Sequence, residues 1–185
     1  SSRSSYSEIV FAARKLSKAS VTVDLNSTAR SAKVTWKKVT GATQYEVQCK
    51  VADGSYETLT TTTSRSFTHT GLEVGVDYTY RVKAMSKVEE AYRNSSGKTV
   101  HIKCAKPVVT LSLDETSGKP SLAWEAVEGA AKYQIYYATS KDGKYKKLAE
   151  VTEPGFIHEA ASAGKTYYYK VRALDAAGEK GSYCS

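Results

Sequence analysis

Apolar and polar positions alternate with a period of two along much of the chain. Tyr45, Val47 and Cys49 alternate with Glu46, Gln48 and Lys50. Tyr78, Tyr80, Val82 and Ala84 alternate with Thr79, Arg81 and Lys83. Val34 and Trp36 share a face across Thr35. Successive side chains of an extended chain point to opposite sides, so this period predicts half-buried β-strands. Turn signals punctuate the runs at Asp53-Gly54, Gly71, Gly75, Asp142-Gly143 and Gly164. Helical runs of adequate length are missing between residues 19 and 185. The pattern predicts an all-β fold of short strands in packed sheets.

The pattern occurs twice. Trp36, Val39, Gly41, Ala42 and Tyr45 return as Trp124, Val127, Gly129, Ala130 and Tyr133, 88 residues on. Beyond this motif the offset becomes 89. Tyr56, Leu59, Phe67, His69, Tyr78, Tyr80, Val82 and Ala84 match Tyr145, Leu148, Phe156, His158, Tyr167, Tyr169, Val171 and Ala173. A fixed period of this length is a tandem duplication. The expected domains are residues 19–105 and 106–185, after a segment at 1–18. Each unit is long enough for a core of its own, since domains of ~60 residues already fold alone. Trp36, Tyr45, Tyr78 and Tyr80 are expected in the first core, and Trp124, Tyr133, Tyr167 and Tyr169 in the second.

At these residues the chain resembles the fibronectin type III family. Trp36 and Trp124 fall on that family's second strand, and Tyr45 and Tyr133 open its third. Its sixth strand reads Y-x-Y-x-V-x-A, as in Tyr78–Ala84 and Tyr167–Ala173. The turns Gly75–Tyr78 and Gly164–Tyr167 look like the one that precedes that strand. The resemblance covers nearly the whole chain. It implies two tandem immunoglobulin-like β-sandwiches. The composition of 117–120, 140–145 and 167–171 resembles repeats of bacterial, especially Gram-positive, secreted surface proteins. Arg-Gly-Asp and Trp-Ser-x-Trp-Ser are both absent from the sequence, so integrin binding and cytokine-receptor activity are not implied.

Residues 1–18 admit two readings. Ser5–Glu8 suits a capping box before a helix with Ile9, Ala12, Ala13 and Leu16 on one face. Alternatively, Lys15–Lys18 aligns with Lys103–Lys106 at the same offset of 88, which makes 8–13 the last strand of a preceding unit. Ser182-Tyr183-Cys184 resembles Ser5-Tyr6-Ser7, so the second unit is expected to lack most of its own last strand. Exchange of the N-terminal strand between molecules and simple truncation are both open on this pattern.

Charge adds a modest bias. The net charge is +8, with 27 basic and 19 acidic residues, and the excess lies mostly before residue 105. Blocks of like charge are missing, so a solvated Lys-rich sheet face is expected and nucleic acid is not. No apolar run approaches the ~20 residues that cross a membrane. Cys49, Cys104 and Cys184 do not follow the repeat. Their odd number implies a free thiol or an intermolecular bond.

Catalytic patterns are absent. No G-x-S-x-G elbow, Gly-rich phosphate loop or metal-ligand spacing occurs. His69 and His158 are repeat equivalents, expected as polar strand ends. Glu89-Glu90 falls in a solvated loop. No catalytic residue, metal or cofactor is assigned. Asn26 and Asn94 head glycosylation triplets.

One binding face emerges. With Tyr133, Ile135 and Tyr137 inward, Gln134 and Tyr136 point out. With Tyr167 and Tyr169 inward, Tyr168, Lys170 and Arg172 point out. The third and sixth strands are neighbours in this fold, so Tyr136 and Tyr168 are expected as an exposed pair flanked by Gln134, Lys170 and Arg172. Their first-unit equivalents are Gln48 and Thr79, so the fold does not require them. Such a pair suits sugar rings or a protein partner, or it serves as a cross-strand contact that stabilises the sheet. The functional expectation is a non-catalytic spacer or interaction module of a secreted or wall-attached protein, used in adhesion or in presenting another domain. Its alternatives are a carbohydrate-binding module, an accessory segment of an extracellular enzyme and a eukaryotic receptor ectodomain. Expected partners are a protein or a cell-surface or cell-wall polysaccharide.

Overall fold

The computed structural model describes residues 15–87 and 91–184. The N-terminal element expected at 8–13 and the Glu89-Glu90 pair lie outside them. Two compact units are present. One comprises the chain through Thr70 with Tyr78–Val100, and the other Gly71–Asp77 with the chain from His101.

In the first half, eight strands form two antiparallel sheets. β1 (Val21–Asn26), β2 (Ser31–Trp36) and β5 (Ser66–Thr70) make one, in the order β1-β2-β5. β3 (Gln44–Val51), β4 (Glu57–Thr62), β6 (Asp77–Ser86) and β7 (Ala91–Asn94) make the other, in the order β4-β3-β6-β7. β8 (Lys98–His101) also pairs with β6. The second half repeats this. β9 (Val109–Leu113), β10 (Pro120–Trp124) and β13 (Phe156–Ile157) form one sheet. β11 (Lys132–Ala138), β12 (Lys146–Val151) and β14 (Tyr168–Leu174) form the other, in the order β12-β11-β14.

The alternation in the sequence is the alternation of burial. Tyr45, Val47 and Cys49 of β3 and Tyr78, Tyr80, Val82 and Ala84 of β6 are all buried. In the second unit Leu122, Trp124, Tyr133, Ile135, Val171 and Ala173 form the core. Burying each of the larger aliphatic side chains stabilises the fold by about 1.5–3 kcal/mol. Tyr167 and Tyr169 depart from expectation, as both are only half-buried. Their counterparts Tyr78 and Tyr80 lie on β6, which β8 flanks; no described residue flanks β14 in that way.

The repeated motif has a local cause. The Ala42 N–H donates to Val39 O at 3.1 Å, and the Ala130 N–H to Val127 O at 3.0 Å. The third residue of each four-residue turn is glycine at positive φ, 86° for Gly41 and 75° for Gly129. A side chain is strained there, so the spacing Val-x-Gly-Ala is a turn requirement. The turn also aims the next tyrosine. The Val39 N–H donates to Tyr45 Oη and the Val127 N–H to Tyr133 Oη, each at 2.9 Å. Each of these tyrosines meets its tryptophan edge-on, with centroids 5.5 and 5.3 Å apart.

The change of offset lies in the turn after the third strand, which is one residue longer in the second unit. The same irregularity then follows in both units. Register shifts between Val47 and Gln48 against β4, and between Ile135 and Tyr136 against β12.

A further segment pairs with β14 in the second unit. The Gly181 N–H donates to Ala173 O at 2.9 Å and the Cys184 N–H to Val171 O at 2.8 Å, with Lys180 bridging Leu174. Residues 180–184 thus lie along β14 as β7 and Ser95 lie along β6. Ser95 Oγ accepts the Val82 N–H at 2.9 Å, and Cys184 Sγ accepts the Val171 N–H at 3.1 Å. All three cysteines are free thiols, with Cys49 and Cys104 buried.

The Gly41→Ala substitution is expected to cost about 1–2 kcal/mol from backbone strain alone. Its added Cβ would meet only a side-chain methyl of Leu16, at 3.2 Å. Gly129→Ala is expected to cost more, because there the Cβ would lie 2.8 Å from the Val74 backbone oxygen. Chemical denaturation of the two variants checks the order.

Candidate functional site

The outer face of the β12-β11-β14 sheet gathers half-buried aromatic and cationic side chains of the second unit around the buried Gln134. Register fixes who meets whom. Across β11 and β14, Gln134 faces Arg172 and Tyr136 faces Lys170. Across β11 and β12, Gln134 faces Glu150 and Tyr136 faces Lys147. Cross-strand partners share a face, so these six groups stand on one surface.

Arg172 sits at its centre. Its Nε and Nη2 donate to Gln134 Oε1 at 2.9 and 2.7 Å, and Nη2 also donates to Tyr136 Oη at 3.1 Å. The guanidinium lies 4.7 Å from the Tyr183 ring centroid and 5.4 Å from that of Tyr136. The Tyr136 and Tyr183 rings meet edge to face at 5.6 Å. Lys170 Nζ lies 4.0 Å over the Tyr145 ring. Glu150 accepts from Lys132 and Lys147, both at 2.8 Å, and from Gln134 at 3.0 Å. Lys132, then Lys147 and Gln134, hold its carboxyl down to about 2.

Gln134, Tyr136, Lys170 and Arg172 are therefore together, as the alternation of the strands predicts. The expected Tyr136–Tyr168 pair is not formed. Tyr168 stands opposite Ala138, two residues from the Tyr136 position, and the ring that meets Tyr136 belongs to Tyr183. Tyr183 is not among the residues that the alternation marks, because residues 180–184 carry no alternating run. The offset of 89 carries the signal, since it places Cys184 on Ser95 and Tyr183 on Asn94.

The first unit has the same scaffold with different chemistry. Arg81, equivalent to Lys170, lies 3.7 Å over the Tyr56 ring, equivalent to Tyr145. Its Nε donates to Gln48 Oε1 at 2.6 Å. Lys83, equivalent to Arg172, is ion-paired with Glu46 at 3.2 Å. The Glu46 carboxyl is held below its usual range by the Thr58 hydroxyl first, then by Lys83 and Gln48. The second unit has Gln134 where the first has Glu46.

Other polar groups are structural or self-contained. His69 Nδ1 meets Tyr80 Oη and His158 Nδ1 meets Tyr169 Oη, both at 2.8 Å. In the second unit His101 bridges two carboxylates, Asp77 Oδ1 at 2.7 Å through Nδ1 and Asp175 Oδ2 at 2.8 Å through Nε2. Asp175 is 1% exposed and also accepts the Glu179 N–H at 2.9 Å. Nothing in the sequence joins these three, because 74 residues separate His101 from Asp175. Among the described residues no cluster of His, Cys, Asp and Glu suits a metal ion. An apolar cleft of about 310 Å³ lies between β9 and β14, lined by Leu111, Leu113, Pro120, Lys165, Tyr167 and Tyr169.

The fold defines a class: tandem antiparallel β-sandwich modules. Residues 18–97 match the model of the family described as Fibronectin type III domain. This stretch matches that family, and the chain as a whole has the fold of two such β-sandwiches in tandem. The chain is similar to a two-domain fibronectin type III segment of chicken tenascin. The TM-score is 0.65 at 16% identity, over 89% of this chain and 94% of that one. It is 28% identical over 162 residues to Fibronectin type III domain-containing protein 7 of Homo sapiens, covering 87% of this chain and 21% of that protein. It is 28% identical over 155 residues to Exoglucanase B of Cellulomonas fimi, covering 76% of this chain and 13% of that protein. A shorter stretch of 71 residues is 35% identical to Amylopullulanase of Thermoanaerobacter thermohydrosulfuricus, covering 38% of this chain and 5% of that protein. The chain thus spans about a fifth or less of these curated relatives.

The paired histidines generate a pH dependence. Burial pushes both His69 and His158 below the usual imidazole value. An unfolded histidine titrates near ~6.5. Below that pH the unfolded chain binds more protons than the folded one, so stability is complete above it and falls as pH drops. The melting temperature is expected to fall between pH 7.5 and 5.5, and the His69→Gln/His158→Gln variant is expected to lose most of that dependence.

Proposed function

We propose that the chain is a non-catalytic module of a larger extracellular protein, and that it spaces and presents a neighbouring domain while offering one sheet face for contact. One observation carries this reading: the polar groups that recur in both units are consumed in holding the fold. The tyrosine hydroxyls at 45 and 133 satisfy backbone amides, and the histidines at 69 and 158 satisfy Tyr80 and Tyr169. What duplication has kept is a scaffold.

The relatives support the same reading. In proteins named Exoglucanase B and Amylopullulanase, the matched stretch is 13% and 5% of the length. A segment that small beside a named activity fits an accessory role. The matching family is not a catalytic one, and among the described residues no helix is long and apolar enough to cross a membrane. A carried module outside the cell accounts for these features together. The bacterial surface setting and a role in adhesion belong to the same proposal.

The expected outcome is no turnover. The purified chain, incubated with soluble starch, carboxymethyl cellulose and chromogenic esters, should release no product above the buffer rate. His101–Asp175 is the arrangement most like a catalytic dyad. Turnover abolished by His101→Ala would overturn the proposal.

A further inference from the structure

We propose that the outer face of the β12-β11-β14 sheet is a docking surface for an anionic polysaccharide, one bearing uronate carboxylates, gripped by Lys170 and Arg172. This rests on reading the chain as a non-catalytic module and names the ligand class of its contact face.

Charge is segregated in the second half of the chain. Residues 105–185 are nearly neutral, with 11 basic and 10 acidic residues. Yet the strand positions on this face hold Lys132, Lys147, Lys170 and Arg172 against Glu150 alone. Glu150 is taken by Lys132 and Lys147. Among the described residues Lys170 and Arg172 have no acidic partner; their contacts are Tyr145, Gln134, Tyr136 and Tyr183. Two cations therefore stand uncompensated on one strand, about 7 Å apart by the two-residue rise.

The first unit serves as an internal control. Its equivalent of Arg172 is neutralised, because Lys83 pairs with Glu46. The fold tolerates that acid, and the second unit has a neutral amide in its place. Gln134 orients the guanidinium without cancelling its charge. A cation held in place by hydrogen bonds and ring faces loses less freedom when an anion arrives.

The same geometry disfavours a neutral sugar as the ligand. Stacking needs a free aromatic face, and Arg172 and Lys170 lie against the rings of Tyr136, Tyr183 and Tyr145. Carboxylates suit what remains, the charged heads of Lys170 and Arg172, which the ring faces and Gln134 hold without neutralising. Tyr168, on the same face of β14 two residues from Lys170, extends the row. The repeating charge of a uronate chain matches a row of cations along one strand.

Affinity electrophoresis of the intact chain through polygalacturonate, amylose and duplex DNA tests this. Polygalacturonate should retard the protein at 50 mM NaCl, with affinity about tenfold weaker at 300 mM, the loss expected for about two neutralised charges. Amylose should not retard it, and DNA should bind at least fivefold more weakly than polygalacturonate. Lys170→Gln/Arg172→Gln should abolish retardation. Gln134→Glu, which restores the acid of the first unit, should weaken it about fivefold or more in a protein that circular dichroism shows to be folded. Absence of polygalacturonate binding at low salt, equal binding of DNA, or indifference to Gln134→Glu in a folded protein would overturn the proposal. Depolymerisation of the polysaccharide during the run would instead sink the non-catalytic reading, which keeps the two failures apart.

Discussion

Each unit depends on a hydrogen bond between a buried tyrosine hydroxyl and a backbone amide six residues before it. The third strand opens with that tyrosine, and the amide belongs to the turn that leaves the second strand. The second and third strands lie in different sheets. The bond therefore fixes the crossing from one sheet to the other, and with it the register of everything that pairs with either strand. A buried amide left without a partner would cost about 1–3 kcal/mol. Glycine at positive φ makes the turn, the turn presents the amide, and the tyrosine ring meets the tryptophan edge. These groups recur together, 88 residues apart, because none works without the others.

On that shared scaffold the two units carry different outer faces. Arg81 over Tyr56 and Lys170 over Tyr145 are the same cation–ring contact in the same place. The difference lies one step along the strand. Lys83 has a carboxylate beside it, whereas Arg172 has an amide. Exchanging an acid for its isosteric amide changes almost no volume and leaves the cation beside it without a carboxylate partner. Duplication makes such a change inexpensive, since one copy keeps the fold's ordinary surface while the other diverges.

Much of the fold was legible because period and repeat agree. The alternation at 45–49 and 78–84 is a direct image of burial, and the Trp-x-x-Val-x-Gly-Ala-x-x-Tyr motif is an image of a turn and its hydrogen bond. The candidate face was legible in part. Alternation placed Gln134, Tyr136, Lys170 and Arg172 outward together, but it does not report register. The diagonal between Tyr136 and Tyr168 looks like a pair in the sequence for that reason. Tyr183 is hidden because residues 180–184 have no alternating run; they follow β14 through isolated contacts. Tyr167 and Tyr169 obey the period and are still only half-buried, since burial also requires a neighbour on the far side. The His101 bridge to Asp77 and Asp175 depends on folding across 74 residues, and no local pattern encodes it.

The measurement that bears most directly on this account is the stability of Tyr45→Phe and Tyr133→Phe. Each change removes one oxygen and leaves the ring against its tryptophan. The account predicts a loss of about 1–3 kcal/mol in the unit that carries the change, similar in size for the two variants. A loss below about 0.3 kcal/mol in both, or a loss in one variant alone, would contradict it.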